Sequence, residues 1–312
     1  MESPNPPIKF YKVRDFSEKL NATFDFLREN WQSLLQFSFY LILPICLLQS
    51  FAINAMMRFS LAMGYESTYD SPTESLNALM QNVGIYMILI LLGTSVVYAM
   101  TFSLMAAYER RDNRLLHIQW QDFKPSMIRN TLKALRLFLF TICCASLAVT
   151  LIIWLAVIST WTLILTIMAF LTGFIALMVP FSLMMPVYLF EDIRFVEALK
   201  KSFKYGFSAW GGTFVIVFVF GFLANIVSGV TMMPWYIVLL MGDAFSLSGQ
   251  DTGMNASLTY QFITYLLGIL QAYGMYLSLI LSSVGIAFQY FHLREKNEGK
   301  SVDENIQNFD SL

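Results

Sequence analysis

Three long stretches of the sequence lack basic residues, and these stretches contain nearly all of its apolar residues. No lysine or arginine occurs in residues 59–109, 137–193 or 205–293. Each stretch is long enough for two membrane crossings and the turn between them. Since basic residues concentrate on the cytoplasmic side of membrane proteins, the pattern predicts three pairs of crossings with both chain termini in the cytoplasm.

Charged residues of either sign are scarce throughout the chain. Of the 312 residues, 57% are hydrophobic and 13% are charged, whereas about a quarter of the residues in soluble domains are charged. This composition excludes an ordinary soluble domain. Arg58 is the only basic residue that falls in a predicted outer loop, and this asymmetry is the one that the positive-inside rule counts.

Cysteine and histidine are too few and too scattered to build a disulfide framework or a metal site. Cys46, Cys143 and Cys144 lie in apolar segments, where we expect small buried side chains. His117 and His292 have no cysteine or acidic residue at a ligand spacing. The sequence therefore predicts no metal and no cofactor.

The residue sets that enzymes and ion-coupled transporters need are also missing. We find no nucleophile with an adjacent base, no paired carboxylates, no zinc motif and no phosphate-binding glycine loop. The apolar segments contain no charged residue or histidine, which disfavours a proton-coupled transporter or a voltage sensor. A non-catalytic protein is therefore predicted.

The apolar segments predict six transmembrane helices in a single domain, residues 1–293. The predicted spans are residues 34–57, 83–107, 137–157, 163–189, 211–231 and 260–288. The polar stretches 63–79 and 242–258 are predicted outer loops.

The sequence also makes one structural prediction for each of three further segments. Pro234 is expected to end the fifth span and to leave residues 235–241 as an interfacial or re-entrant piece. The charged residues 294–312 are expected to form a disordered cytoplasmic tail. The first 30 residues have no apolar core of signal-peptide length, so the first span is expected to act as an uncleaved signal.

A short amphipathic helix is predicted before each pair of spans. Apolar residues recur at intervals of three and four in residues 16–31, 123–135 and 195–210, with basic residues mainly on the other faces. Helices with aromatic apolar faces and basic polar faces lie in the plane of the lipid headgroups. The predicted fold class is therefore all-α, a polytopic protein with three pairs of spans, each preceded by a cytoplasmic in-plane helix.

The basic faces of the second and third amphipathic helices form the first candidate site. Its residues are Lys124, Arg129, Lys133, Lys200, Lys201 and Lys204. Each basic residue near a membrane surface contributes about 1 kcal/mol to the attraction of anionic lipid. Two roles stay open: anchoring under the bundle, or binding of membrane lipids or of a cytoplasmic or membrane-protein partner. No nucleic-acid partner is predicted.

Two amides form a candidate polar site within the membrane, and two prolines form a candidate hinge. Asn225 and Gln271 lie at similar depth in the fifth and sixth spans, where they could bond to each other as packing contacts or bind a solute. Pro180 and Pro186 predict a kink near the inner end of the fourth span. The turn around Glu191 is then either a hinge or a static bend.

The region between the fourth and fifth spans resembles a known group of membrane proteins. Pro186, Glu191, Ala198, Ser202 and Trp210 follow one pattern: a span ending after a proline, an acid, an amphipathic helix, and a tryptophan before the next span. This pattern resembles poorly characterised bacterial six-helix membrane proteins related to the membrane domain of some glycerophosphodiester phosphodiesterases. The resemblance implies a bacterial inner-membrane protein. It does not carry over phosphodiesterase activity, because the chain has no soluble catalytic barrel.

The sequence favours a non-catalytic bacterial inner-membrane protein that binds anionic lipid headgroups or a partner through its basic in-plane helices. The alternative is a transporter or channel for a neutral or lipid-like substrate, with a cavity near Asn225, Gln271 and the kinked fourth span. An intramembrane enzyme is the third hypothesis.

Overall fold

The structure, a computed structural model, is all-helical over the part of the chain that it describes. That part comprises residues 7–65, 72–111, 114–158, 160–247 and 257–300. It contains seven helices: α1 (Phe16–Tyr65), α2 (Pro72–Arg110), α3 (Trp120–Ile158), α4 (Thr160–Phe190), α5 (Phe195–Ser208), α6 (Trp210–Leu247) and α7 (Leu258–Glu298). The predicted all-α class is confirmed for these residues.

Six of the seven helices are long and apolar enough to cross a membrane. Each of α1, α2, α3, α4, α6 and α7 contains one candidate span of 30 to 41 residues. A helix needs about 20 apolar residues to cross the hydrocarbon core. The prediction of six membrane-spanning helices is confirmed at this level, and the chain is a multi-pass membrane protein by the length and composition of its helices.

Only the third predicted amphipathic helix is a separate helix. Residues 16–31 and 123–135 are the N-terminal parts of α1 and α3, which continue without a break into the apolar spans. By contrast, α5 ends before Ala209, whose φ of -140° and ψ of 41° are not helical. Two glycines follow closely in α6, at Gly211 and Gly212. The in-plane orientation of these segments stays a prediction.

The prediction that Pro234 ends the fifth span is wrong, because α6 continues through Pro234 to Leu247. A proline removes one backbone hydrogen bond from a helix, and membrane helices tolerate this where neighbouring groups compensate. Residues 235–241 are therefore part of α6 and do not form a re-entrant piece. Trp235 at their start is buried and donates a hydrogen bond to Asn54 Oδ1 at 3.3 Å.

The predicted loops and tail differ from the structure at their edges. In the expected outer loop 63–79, residues 63–65 belong to α1 and residues 72–79 belong to α2. In the expected outer loop 242–258, residues 242–247 belong to α6 and residue 258 begins α7. Residues 66–71 and 248–256 lie outside the described part. The first residues of the expected disordered tail are helical, because α7 continues to Glu298. Residues 301–312 lie outside the described part.

The α3 and α4 spans are far less buried than the others. Within an 18-residue apolar stretch of each span, 6% of the residues are buried in α3 and in α4, against 50% in α7. The expected burial of the cysteines is confirmed for Cys46 on α1 and is wrong for Cys143 and Cys144, which lie on the little-buried α3 and are exposed. Exposed apolar side chains on both helices suit contact with lipid, which is as apolar as they are.

The chain forms two compact units, where the sequence predicted a single domain. Unit 1 comprises Met1–Leu34, Tyr98–Gly221 and Leu281–Leu312, and unit 2 comprises Leu35–Val97 and Phe222–Ile280. The helices α1, α2, α6 and α7 each contribute residues to both units. The helices α3, α4 and α5 belong to unit 1 alone.

An aromatic cluster forms the core of unit 1. It contains five buried rings from the N-terminal segment, α1, α2 and α7: Phe10, Phe26, Tyr108, Phe288 and Phe291. The ring centre of Phe10 lies 4.9 Å from that of Phe291 and 5.4 Å from that of Tyr108. Each such aromatic pair contributes about 0.5–1.5 kcal/mol beyond the burial of its surface. The N-terminal segment is thereby packed onto the helices.

In unit 2, glycines allow α7 to approach its neighbours closely. A methyl group at Gly274 would collide with Thr231 of α6, and one at Gly268 would collide with Ser50 of α1. Small residues at such positions let membrane helices pack backbone to backbone. The helices of unit 2 are therefore held by close packing.

A test of the packing between α4 and α5 follows from Gly206. A Cβ atom at Gly206 would lie 2.7 Å from Pro180 Cα. We expect Gly206→Ala to lower the free energy of unfolding by about 1–3 kcal/mol, the usual cost of overpacking. The measurement is thermal unfolding in detergent. Gly211→Ala is the control, because apart from the local backbone of α6 no atom of the described residues lies within 4 Å of a Cβ placed there. Equal melting temperatures for the two variants would contradict the close contact.

Candidate functional site

The turn between α4 and α5 is built to stop one helix and start the next. Glu191 still donates its N–H to Val187 O at 3.2 Å, as the last turn of a helix does. Asp192 has a φ of 54°, a left-handed conformation that ends a helix. The Glu197 carboxylate then accepts the Arg194 N–H at 3.3 Å and caps the start of α5.

Glu191 is a buried carboxylate that joins three helices of unit 1. Its side chain is 4% exposed and lies 2.6 Å from Lys201 Nζ of α5. It also accepts a hydrogen bond of 2.8 Å from the Tyr290 hydroxyl of α7. Arg294 Nε of α7 lies 3.7 Å away. A buried carboxylate needs such partners, because leaving it unpaired away from water is costly.

Glu298 supplies a second carboxylate to the same cluster. It lies 2.6 Å from Lys201 Nζ and 3.2 Å from Arg294 Nε, so Lys201 stands between Glu191 and Glu298. Tyr205 donates its hydroxyl to Glu298 at 2.6 Å. Burial raises the pKa of Tyr205, and the bond to Glu298 raises it further. The phenol therefore stays protonated and acts as a donor.

Asp192 ties the same turn to α3. Its carboxylate lies 2.6 Å from Lys133 Nζ and 2.9 Å from Arg129 Nη1. The hydrogen bond from Lys133 lowers the pKa of Asp192, so this carboxylate is ionised at neutral pH. Lys133 also donates to Tyr188 O at 3.2 Å. Two of the three candidate residues on α3 are thus ion-paired within the protein, and the third, Lys124, is exposed.

The three candidate lysines of α5 line one cavity of about 380 Å³. Its lining residues are Glu197, Lys200, Lys201, Lys204, Tyr205 and Glu298. Lys201 and Glu298 are paired with each other. Lys200 and Lys204 are exposed and make no ion pair with any described residue. The cavity therefore presents the ammonium groups of Lys200 and Lys204 beside Lys201, whose charge is already neutralised by Glu298.

The candidate amides and prolines are placed differently from the expectation. Gln271 is buried, and its Oε1 has no hydrogen-bond partner among the described residues. Asn225 is exposed, so it does not supply that partner. Pro180 and Pro186 are both buried inside α4, which continues through them to Phe190. The hinge at the turn around Glu191 stays a prediction.

The sequence reasoning missed a set of buried neutral polar residues in unit 2. Gln49 Oε1 accepts the Tyr276 hydroxyl at 2.7 Å, and Ser50 Oγ donates to Tyr265 O at 2.6 Å. Asn54 donates to Ser50 O at 2.9 Å. The spacing of Ser50 and Asn54 was the available signal, because residues four apart share one helix face. These groups exchange hydrogen bonds and offer no acid or base.

Comparisons with known proteins do not assign this chain to a family. It matches no protein-family model, no curated protein and no solved structure. Among the described residues, no group of three or more histidine, cysteine, aspartate or glutamate side chains could hold a metal ion. The resemblance to phosphodiesterase membrane domains stays a prediction, and the site must be interpreted from its own chemistry.

A test of the cluster uses the buried carboxylate. We expect Glu191→Gln to lower the free energy of unfolding by about 3 kcal/mol, because it leaves buried cations incompletely paired. Glu197→Gln is the matched control, since Glu197 is exposed, its ion pair with Arg194 is long at 3.5 Å, and a glutamine can still accept the Arg194 N–H that caps α5. Thermal unfolding of both variants in detergent measures the difference. A Glu191→Gln protein as stable as its control would contradict the central role of this carboxylate.

Proposed function

We propose that this protein is a non-catalytic membrane protein whose α5 cavity binds the phosphate group of an anionic lipid. The observation that carries the proposal is the pair of lysines, Lys200 and Lys204, at a cavity where Lys201 is already neutralised by Glu191 and Glu298. Ammonium groups are common ligands of phosphate.

The size of the cavity supports a headgroup as its ligand. Ligand pockets for small molecules are typically about 300–1,000 Å³, and this cavity has about 380 Å³. This volume is sufficient for a phosphate with a small polar substituent. The acyl chains would remain outside, in the surrounding lipid.

The position of α5 supports a lipid as the source of that phosphate. The helix lies in the chain between two candidate spans, which end at Phe190 and begin at Trp210, so its residues follow the end of one span and precede the start of the next. Val196 and Phe207 on α5 are 58% and 55% exposed. Exposed apolar side chains beside lysines are typical of helices that lie at the headgroup boundary.

The charge asymmetry places α5 on the cytoplasmic side in this proposal. The basic residues of α5 and of the N-terminal part of α3 would then face the anionic leaflet. We propose a bacterial inner-membrane location with both termini in the cytoplasm. The location rests on the resemblance of the sequence, and the orientation rests on its basic residues.

Transport of a neutral or lipid-like solute is the second candidate function. Gln49 Nε2 and Gln271 Oε1 in unit 2 are buried without a hydrogen-bond partner among the described residues. A polar solute could supply the missing bonds, because buried polar groups are normally satisfied. Protein that leaves its own membrane without any bound lipid would favour this candidate.

The orientation is tested with single cysteines at the two ends of the chain. Asn5→Cys and Asn305→Cys are made separately after Cys46, Cys143 and Cys144 have been replaced by alanine. In intact cells we expect neither cysteine to react with a membrane-impermeant maleimide, because both face the cytoplasm. Both should react after the cells are opened. Labelling of either one in intact cells would contradict the orientation.

The lipid proposal is tested by native mass spectrometry of protein released from its own membrane. Lys200→Gln combined with Lys204→Gln should reduce retention of anionic lipid roughly tenfold or more, since each basic residue contributes about 1 kcal/mol. The matched control is Lys9→Gln combined with Arg110→Gln, which removes the same charge from two exposed basic residues outside the candidate site.

Two results would count against the proposal. Equal lipid retention in the two double variants would mean that the α5 cavity is not the lipid site. A retained protein subunit in place of a lipid, lost only in the α5 variant, would assign the cavity to a protein partner.

A further inference from the structure

A second basic cluster lies where the N-terminal segment of unit 1 meets the end of α7. It consists of Arg14, Lys19, His292 and Lys296. The Arg14 N–H donates to His292 Nδ1 at 3.0 Å. Lys296 follows His292 by four residues on the same face of α7. Arg14, Lys19 and Lys296 all act electrostatically on the His292 ring, so the four side chains form one positively charged group.

Lys19 is the unusual member of this cluster. It is only 7% exposed and makes no ion pair with any residue in the described part of the chain. The protein covers the apolar stem of Lys19, while the ammonium group keeps contact with the surface. Lys19 also lies close to the N-terminus of α1, where the helix dipole disfavours a positive charge. An anion at this point would pair with the ammonium group and offset the unfavourable dipole.

The nearest carboxylates are already engaged in other bonds. Asp15 Oδ1 accepts the Glu18 N–H at 2.7 Å, and Glu18 Oε2 accepts the Asp15 N–H at 3.2 Å. These two bonds cap α1 as a reciprocal pair. Glu18 also pairs with Lys12 at 2.9 Å. Asp15 acts electrostatically on Lys19, but neither carboxylate forms an ion pair with it.

Arg14 contributes positive charge to the cluster, while His292 contributes a hydrogen-bond donor that no described residue uses. The Arg14 guanidinium donates to Phe10 O at 2.8 Å and to Lys9 O, and it lies over the Phe288 ring at 5.4 Å. It is thus held in place by the protein. Because His292 Nδ1 accepts a bond, the neutral ring carries its proton on Nε2. This N–H has no acceptor within the described residues.

We propose that Lys19, Lys296 and the Nε2–H of His292 bind a phosphate group at the end of α7, with Arg14 as a fixed positive charge beside it. Two ammonium groups and one imidazole N–H supply several hydrogen-bond donors, which suits a tetrahedral anion with several acceptor oxygens. The same chemistry is offered by free inorganic phosphate and by the phosphomonoester headgroup of a lipid. The site goes beyond the α5 cavity and does not depend on it.

The geometry of α7 keeps this site apart from the α5 cluster. His292 and Lys296 precede Arg294 and Glu298 by two residues, and two residues turn an α-helix by about 200°. Arg294 and Glu298 bond to α5 and to Glu191 on one side, so His292 and Lys296 lie on the opposite side. A variant of one site should therefore leave the other intact.

The test is isothermal titration of the detergent-purified full chain with inorganic phosphate and, separately, with short-chain phosphatidate. We expect Lys19→Gln to raise the dissociation constant about tenfold or more, as loss of a charged hydrogen bond does. Lys296→Gln should act in the same direction, and because Lys296 is exposed this variant does not disturb the core. The control, Lys9→Gln, removes the same charge from an exposed lysine of the same segment and should stay within about twofold.

The outcomes distinguish free phosphate from a lipid headgroup as the ligand, and this site from the α5 cavity. A lysine-dependent loss for inorganic phosphate alone identifies free phosphate, and a loss for phosphatidate identifies a lipid headgroup. Repeating each titration in the Lys200→Gln, Lys204→Gln background removes any contribution of the α5 cavity. If neither ligand responds to Lys19→Gln or to Lys296→Gln, the proposal is overturned, whatever the α5 variants show.

Discussion

The buried carboxylate of Glu191 is the contact on which the arrangement of unit 1 depends. It accepts bonds from Lys201 and Tyr290 and stands beside Arg294. Its neighbour Asp192 binds α3 through Lys133. A carboxylate with 4% exposure is tolerated only while its cations remain in place. The positions of α3, α5 and α7 are therefore coupled through one turn of the chain.

This coupling divides the basic residues of unit 1 into two classes. Arg129, Lys133, Lys201 and Arg294 have carboxylate partners at 2.6 to 3.7 Å and belong to the framework. Lys200, Lys204, Lys19 and Lys296 have no ion-pair partner among the described residues. Only the second class has charge to offer a ligand. The two proposed anion sites are built from these residues, which the framework residues hold in position.

The polar interior of unit 2 has a different character from that of unit 1. Its buried polar residues are amides and hydroxyls, such as Gln49, Asn54 and Tyr276, and they bond mainly to one another and to the backbone. Neutral hydrogen bonds of this kind contribute about 0.6–2 kcal/mol each in membrane bundles. They stabilise the packing of the helices without placing a charge inside the spans.

The sequence by itself determined the features that depend on local composition. Six long apolar helices and the polar face of α5 follow from hydropathy and from periodicity along a single helix, so neighbours are not needed to predict them. The failures also have local causes. Pro234 and the junctions of α1 and α3 were predicted as breaks, yet a helix can continue where its neighbours satisfy the backbone.

Only the tertiary structure decided which basic residues are available to a ligand. The sequence treated Arg129, Lys133, Lys200 and Lys204 as equivalent, because pairing with Asp192 depends on contacts about 60 residues apart. The burial of Lys19 and Gln49 likewise results from packing against other helices. Charge and hydropathy are local properties of the chain, whereas partners and burial arise from contacts between segments distant in sequence.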